Sequence, residues 1–268
     1  MAFFRSFFIF LLSSSVFTAV VVPAAAINNS VLEFCPQYHL PIEKADIIGV
    51  VRDIKSSQHL YCEYHVFEKK ADLDKTPKKT KVEYRAPDQT LIATKSIDYS
   101  PSLVRPNVVQ KDLRNNELRS TLNSDKGSNV NVSYRKPNSE EVKSTVISLK
   151  DMIVIDAGFD EAVKEYWYTL TRGEKLIIDF LSPVHLRTFK LTVKQSNTES
   201  CYKESYNRET QACFLIRPSN MVLNLFVKPL ALIYDLEEKR LLRFKGDVNV
   251  TDAQGDTQNA VIQYYYKS

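Results

Sequence analysis

Glycine is scarce in this chain, with six among 268 residues. That scarcity removes the loops that cradle phosphates or expose a nucleophile: there is no Gly-x-Gly-x-x-Gly fingerprint, no Walker loop and no Gly-x-Ser-x-Gly elbow. Histidine is rarer still, four residues with no His-Glu-x-x-His pair among them, so the usual zinc-hydrolase pattern is missing. None of the four cysteines stands in a Cys-x-x-Cys motif, which leaves thioredoxin-like chemistry without its dithiol. Beyond residue 22 no apolar run approaches the roughly 20 residues that cross a bilayer. Charge of one sign is never concentrated. The densest basic cluster, Lys69, Lys70, Lys75, Lys78, Lys79 and Lys81, is interrupted by Asp72, Asp74 and Glu83 and carries the loop marker Thr76-Pro77; it reads as a solvated loop, and no nucleic-acid partner is expected.

What the chain does have begins at its amino terminus. Arg5 supplies a positive start, Phe7 to Val22 an apolar stretch, and Ala24, Ala25 and Ala26 a small-residue cleavage site, the three parts of a secretory signal peptide. We expect residues 1–26 to be that signal, cut after Ala26, and residues 27–268 to form a single β-rich domain with no transmembrane segment after cleavage. Removing Arg5 lowers the formal net charge from +4 to +3. The expected location is the periplasm.

Export makes disulfides persistent. Four cysteines allow three pairings. Cys201 and Cys213 flank a polar segment of eleven residues, a loop whose closure is worth about 3 kcal/mol in the chain-entropy account. Cys35 with Cys62 then follows by elimination, unless Cys62, which falls on an apolar strand face, stays a buried thiol.

Short alternating runs separated by turn chemistry dominate the rest. His59 to Phe67 places Leu60, Cys62, Tyr64 and Val66 on one face and His59, Tyr61, Glu63 and His65 on the other. Lys81 to Arg85 and Leu91 to Tyr99 flank Pro87-Asp88, and Asn129 to Arg135 and Val142 to Leu149 flank Pro137-Asn138-Ser139, so both pairs read as hairpins. Lys175 to Leu181, Leu186 to Val193, Leu230 to Tyr234, Arg240 to Lys245 and Asn259 to Tyr266 add further strands. Leu176 to Leu181 is apolar on both sides apart from Asp179, which predicts cover on both. One segment has the helical period instead: Phe159, Ala162, Val163, Tyr166, Trp167 and Leu170, with Asp156 as cap and Gly173 as stop. The run Met221 to Val227 fits either a strand or a short helix. The fold class that emerges is mainly β, a curved antiparallel meander sheet, an open half-barrel, packed around one amphipathic α-helix.

Candidate chemistry is thin. His59, Glu63 and His65 share a strand face and could ligate zinc or exchange a proton, but the same alternation places polar groups on the solvent side of any half-buried strand. Asp179 could be a buried carboxylate paired with Arg187, and His185 reads as a loop residue. No catalytic residue, metal or cofactor is therefore assigned, which leaves enzymatic activity without support. The aromatics, 11% of the chain, point elsewhere. A sheet curled around one helix can leave an apolar cleft lined by Phe159, Val163, Tyr166 and Trp167, suited to a lipid or other apolar ligand. Three triplets, beginning at Asn28, Asn131 and Asn249, have the N-glycosylation pattern that eukaryotic secretion would use.

The signal peptide, the hairpin from Val82 to Lys95, the helix opening from Asp156 to Asp160 and the stretch from Tyr234 to Gly246 together resemble an uncharacterised set of exported proteobacterial proteins. The strand-rich plan with an enclosed helix is also similar in architecture to the open half-barrels of periplasmic lipoprotein carriers, although the four cysteines are no part of the carrier pattern. That similarity implies a binding or carrier protein for a lipid or other apolar ligand. The alternative is an envelope scaffold or assembly factor that acts through contacts with an envelope protein and shows an exposed apolar patch.

Overall fold

The computed structural model describes residues 26–36, 45–68, 78–124, 127–150, 152–196, 201, 206–220 and 229–267. The expected signal segment up to Ala25, the run Met221 to Val227 and the lysines Lys69, Lys70 and Lys75 lie outside the described residues.

The expected alternation builds strands throughout. A short helix α1 (Asn29–Phe34) precedes β1 (Ile47–Asp53), β2 (His59–Glu68), β3 (Lys79–Arg85), β4 (Leu91–Asp98), β5 (Asn107–Asp112), β6 (Leu118–Asn123), β7 (Asn129–Arg135) and β8 (Val142–Ser148). Then come β9 (Ile153–Ile155), helices α2 (Gly158–Glu165) and α3 (Trp167–Thr171), and β10 (Lys175–Ser182), β11 (Arg187–Gln195), β12 (Gln211–Pro218), β13 (Leu230–Asp235), β14 (Leu241–Asp247) and β15 (Asn259–Tyr266). Among the described residues all fifteen strands join one sheet in the order β8 to β1, then β15 back to β9. Two antiparallel meanders thus meet at a seam between the first strand and the last, where Ile47 stands opposite Tyr266 and Asp53 opposite Ala260. Among the named strands the exception to antiparallel pairing is β9, which runs parallel to β10; an isolated parallel bridge also joins Ala26 to Tyr266.

This order has a geometric consequence. Strands β8 and β9 are the two edges of the sheet, yet only residues 149–152 connect them, a span of at most about 17 Å. A sheet of this width stays continuous over so short a link only by rolling. The register shows how it rolls. Ile262, Phe244, Leu232 and Phe214 are cross-strand neighbours on one face, and the same face continues through Val193, Leu176 and Ile178 to Phe180 and Val154. Ile153, Ile155 and Leu181 point to the opposite face, and they pack with Val108, Val130 and Val132 of the first meander. The edge β9 is therefore tucked inside the curl of β1–β8, with both its faces covered. The sheet is a scroll that does not close.

Helices α2 and α3 fill the curl of the second meander. Val163, Trp167 and Leu170 are at most 4% exposed and pack with Phe214, Ile216, Leu232 and Tyr234. Trp167 meets the edges of Phe214 at 5.5 Å and Tyr234 at 5.8 Å between ring centroids. The single helix expected here is broken at Tyr166, whose φ of −95° and ψ of 20° leave the helical range. Asp156 does not cap it by its side chain: the residue has φ +44° and its carboxylate binds Lys95 instead. Gly173 does end it, at φ +85° with its N–H donating to the Leu170 carbonyl.

Both disulfides are formed, Cys35 with Cys62 and Cys201 with Cys213. The first pins α1, an element the periodicity did not suggest, onto the outer face of β1 and β2, where Val31, Ile48, Val50 and Tyr64 join the two sulfurs in a small core. Cover on that side, with Tyr61 and Glu63 facing the other core, is why β2 is buried on both faces rather than one. Strand β10 departs in the opposite direction: Ile177 is 41% exposed, so the strand expected to be covered on both sides is half-buried.

Truncating the one tryptophan should measure how far the helix layer supports the second meander. Trp167→Ala is expected to lower stability by about 3–5 kcal/mol, read as a shift in the urea midpoint followed by circular dichroism.

Candidate functional site

The residues proposed to line an apolar cleft are structural members of the helix layer. Val163 and Trp167 are buried as described; Phe159 meets the edge of Phe180 at 6.4 Å, and the Tyr166 hydroxyl donates to the Met152 sulfur at 3.3 Å. Two small clefts among the described residues lie elsewhere. One of about 70 Å³ is lined by Gln110, Arg119, Asp156, Phe180 and Asn249, and one of about 170 Å³ by Tyr134, Lys136, Lys143, His185 and Leu186. Sites for drug-sized ligands run to about 300–1,000 Å³, so neither accommodates a lipid as it stands.

The polar trio of β2 is divided. His65 Nε2 lies 3.2 Å from a Glu63 carboxylate oxygen, and Glu63 is 6% exposed; its expected place on a solvent face is corrected by the inward curl, which puts it among Tyr84 and Tyr264. His59 turns the other way, its Nε2 3.3 Å from the Cys62 sulfur. Among the described residues Cys35, His59 and Cys62 come close enough to hold a metal ion, but the two sulfurs are already joined to each other. Asp179 pairs with Lys190 across the ladder at 3.4 Å, not with Arg187, and is partly exposed because it shares the outer face with Ile177. His185 sits in the turn after β10, its Nδ1 2.9 Å from the Ser182 hydroxyl.

Inside the first meander, the register sets Lys95, Gln110, Arg119, Tyr134 and Lys143 side by side across β4 to β8. Most of this row is satisfied internally. Lys95 Nζ donates to both oxygens of Asp156, at 2.9 and 3.1 Å; Arg119 binds Glu117 through Nε and Nη2; and the Gln110 amide donates to the Asn249 carbonyl at 3.0 Å. The loop from Val248 to Gln258 thereby plugs the end of the curl, helped by Arg114 and Asn115, which donate to the main chain at Thr251 and Asp252. The asparagines of two of the three glycosylation triplets, both exposed, also make hydrogen bonds. Asn28 accepts the first N–H groups of α1, and the Asn249 side chain reaches Asp156 at 3.4 Å.

The unsatisfied feature is an edge. The Leu149 N–H donates to the Ser128 carbonyl at 2.8 Å, one step beyond the β7–β8 ladder. Alternate residues of an antiparallel strand aim their main chain the same way. Lys143, Thr145 and Ile147 consequently face β7, while Val142, Ser144, Val146 and Ser148 turn N–H and C=O outward, where no hydrogen bond among the described residues takes them up. At the other edge, the Ile155 N–H donates to the Val104 carbonyl. Val142 and Val146 are 45% and 61% exposed, and Val146 shares an outer row with Asn131 and the exposed Leu122. The alternation from Val142 to Leu149 marks β8 as half of a hairpin, but no local signal marks its other edge as open, because edge pairing depends on which strand comes alongside.

No protein-family model and no curated protein sequence matches this chain. No helix among the described residues is long and apolar enough to cross a membrane, and the two disulfides fit an oxidising, exported environment.

Two measurements follow from the interior groups. Asp156→Asn keeps a residue type that tolerates the left-handed backbone but leaves Lys95, 7% exposed, without its counter-charge; a loss on the order of 3 kcal/mol is expected, and adding Lys95→Met should recover part of it. Burial holds the His59 imidazole below its ordinary 6.5, with the Arg52 charge adding to the effect against a hydrogen bond from the ring to the Tyr61 backbone. The folded state therefore binds fewer protons than the unfolded one in this window, so stability should fall as pH drops from about 7 to about 5. His59→Gln should flatten that slope in a series of urea titrations.

Proposed function

We propose that this is an exported, periplasmic protein without catalytic activity that serves as a scaffold or assembly factor through protein–protein contacts. The observation that carries the reading is the contrast between the interior and the edge. The concave faces of the scroll are occupied by the protein's own groups, by β9 in one meander and by α2 and α3 in the other, whereas β8 offers a strand edge that is unpaired among the described residues and flanked by exposed valines. An open edge is a template for another strand, and natural proteins cover or blunt such edges when they have no use for them. The resemblance to exported proteobacterial proteins supports the location.

A carrier of an acyl chain is the second reading. It would require Val163 and Trp167 to leave the core they share with Phe214 and Tyr234, at a cost comparable to losing a large buried side chain, about 3–5 kcal/mol.

The two readings separate in one preparation. Protein purified from the envelope without detergent should yield no stoichiometric lipid by mass spectrometry of its organic extract, and a photoreactive group at residue 146 should give a defined protein adduct. About one lipid per chain would overturn the scaffold reading.

A further inference from the structure

We propose that the occupant of the β8 edge is a second copy of this chain, paired antiparallel through β8 about a twofold axis so that two fifteen-stranded sheets become one continuous sheet. This rests on the scaffold reading above and names its partner.

The charges along the strand choose the occupant. Glu140 and Glu141 stand at its beginning and Lys150 at its end, all exposed. An antiparallel copy brings the acidic end of one strand to the basic end of the other, twice by symmetry. With Thr145 on the twofold axis, Ser144 of one copy stands opposite Val146 of the other, Val142 opposite Ser148 and Glu140 opposite Lys150. Those residues all lie on the outward-directed set, so each opposed pair exchanges two main-chain hydrogen bonds, up to about eight within β8 itself. The exposed Val142 and Val146 of the two copies become near neighbours on one face, which removes apolar surface from water. A twofold contact of this kind is self-complementary and closes at two copies, whereas β8 pairing in the parallel sense would set Glu140 against Glu140 and Lys150 against Lys150.

Strand β8 can accept this partner without rearrangement. Its inward residues are already committed to β7, and Lys143 turns to the inner face, where it lines the larger cleft. The second edge of the sheet cannot compete, because β9 lies inside the scroll with Val104 across it.

The test uses the full-length exported protein in sedimentation velocity from about 1 to about 100 µM, with urea unfolding as the check on fold. The wild type should show a reversible monomer–dimer equilibrium. Val146→Pro removes an outward N–H and leaves the β7 ladder intact, a position where proline is tolerated; it should abolish the dimer while the unfolding midpoint stays near that of wild type. Lys150→Glu alone should weaken dimerisation at least roughly tenfold by setting Glu140 against a second carboxylate. Glu140→Lys added to it should restore the wild-type constant, a rescue that a merely structural role for either residue would not produce. A chain that stays monomeric at about 100 µM, or a dimer indifferent to Val146→Pro, overturns the proposal. If the monomeric chain still gives a protein adduct from residue 146, only the identity of the partner falls; if it gives none, the scaffold reading falls with it.

Discussion

The ladder between β1 and β15 is the constraint on which the rest of this structure depends. Every other ladder joins strands that are near neighbours in the chain, and each could form within its own meander. The seam joins residues 47–53 to residues 260–266, and it alone makes two meanders into one sheet. Closing so long a loop costs only slowly more than closing a short one, and the seam gains cross-strand packing around Val51 and Ile262 in return. Once it forms, the middle of the chain is forced to both edges of the sheet, and the short link from Ser148 to Ile153 draws those edges together.

Rolling then creates a second problem, which polar groups solve. The inner face of the first meander carries Glu63, Lys95, Gln110, Asp112, Glu117 and Arg119, residues that would be expensive to bury alone. Each finds a partner in the turn before α2, two residues away or in the loop after β14. Lys95 with Asp156 matters most, because it ties β4 to the start of α2 across the opening of the scroll. Replacing such a pair by apolar groups can be neutral or better for stability; what the pair supplies here is a fixed position for β9 inside the curl, since a one-residue slip would strand one of the two charges.

The same rolling decides where function can reside. A sheet that wraps its own edge and two helices fills much of its own interior, and among the described residues the cluster close enough to hold a metal, Cys35, His59 and Cys62, has its two sulfurs bonded to each other. What is left is outside. One edge is buried by design of the topology and the other is exposed by the same topology, because β9 enters the curl at the place where it could have paired with β8.

Much of this was determined by the sequence itself. Period-two alternation located β2, β3, β4, β7, β8, β10, β11, β13, β14 and β15, the three-to-four spacing located the helix layer, and the spacing of Cys201 and Cys213 with elimination located both disulfides, because these signals are local and depend on a few neighbouring residues. Strands β1, β5, β6, β9 and β12 were not anticipated, and neither was α1. Only the tertiary structure decided which face of each strand is buried, since that depends on residues far away: Glu63 is inside because the sheet curls over it, Ile177 is outside because nothing covers β10 there, and Asp156 leaves the helix cap for Lys95, sixty-one residues earlier in the chain. The open edge belongs to the same class. Val142, Ser144, Val146 and Ser148 read as one side of an ordinary strand, and they form an open edge among the described residues only because β9 folds inward.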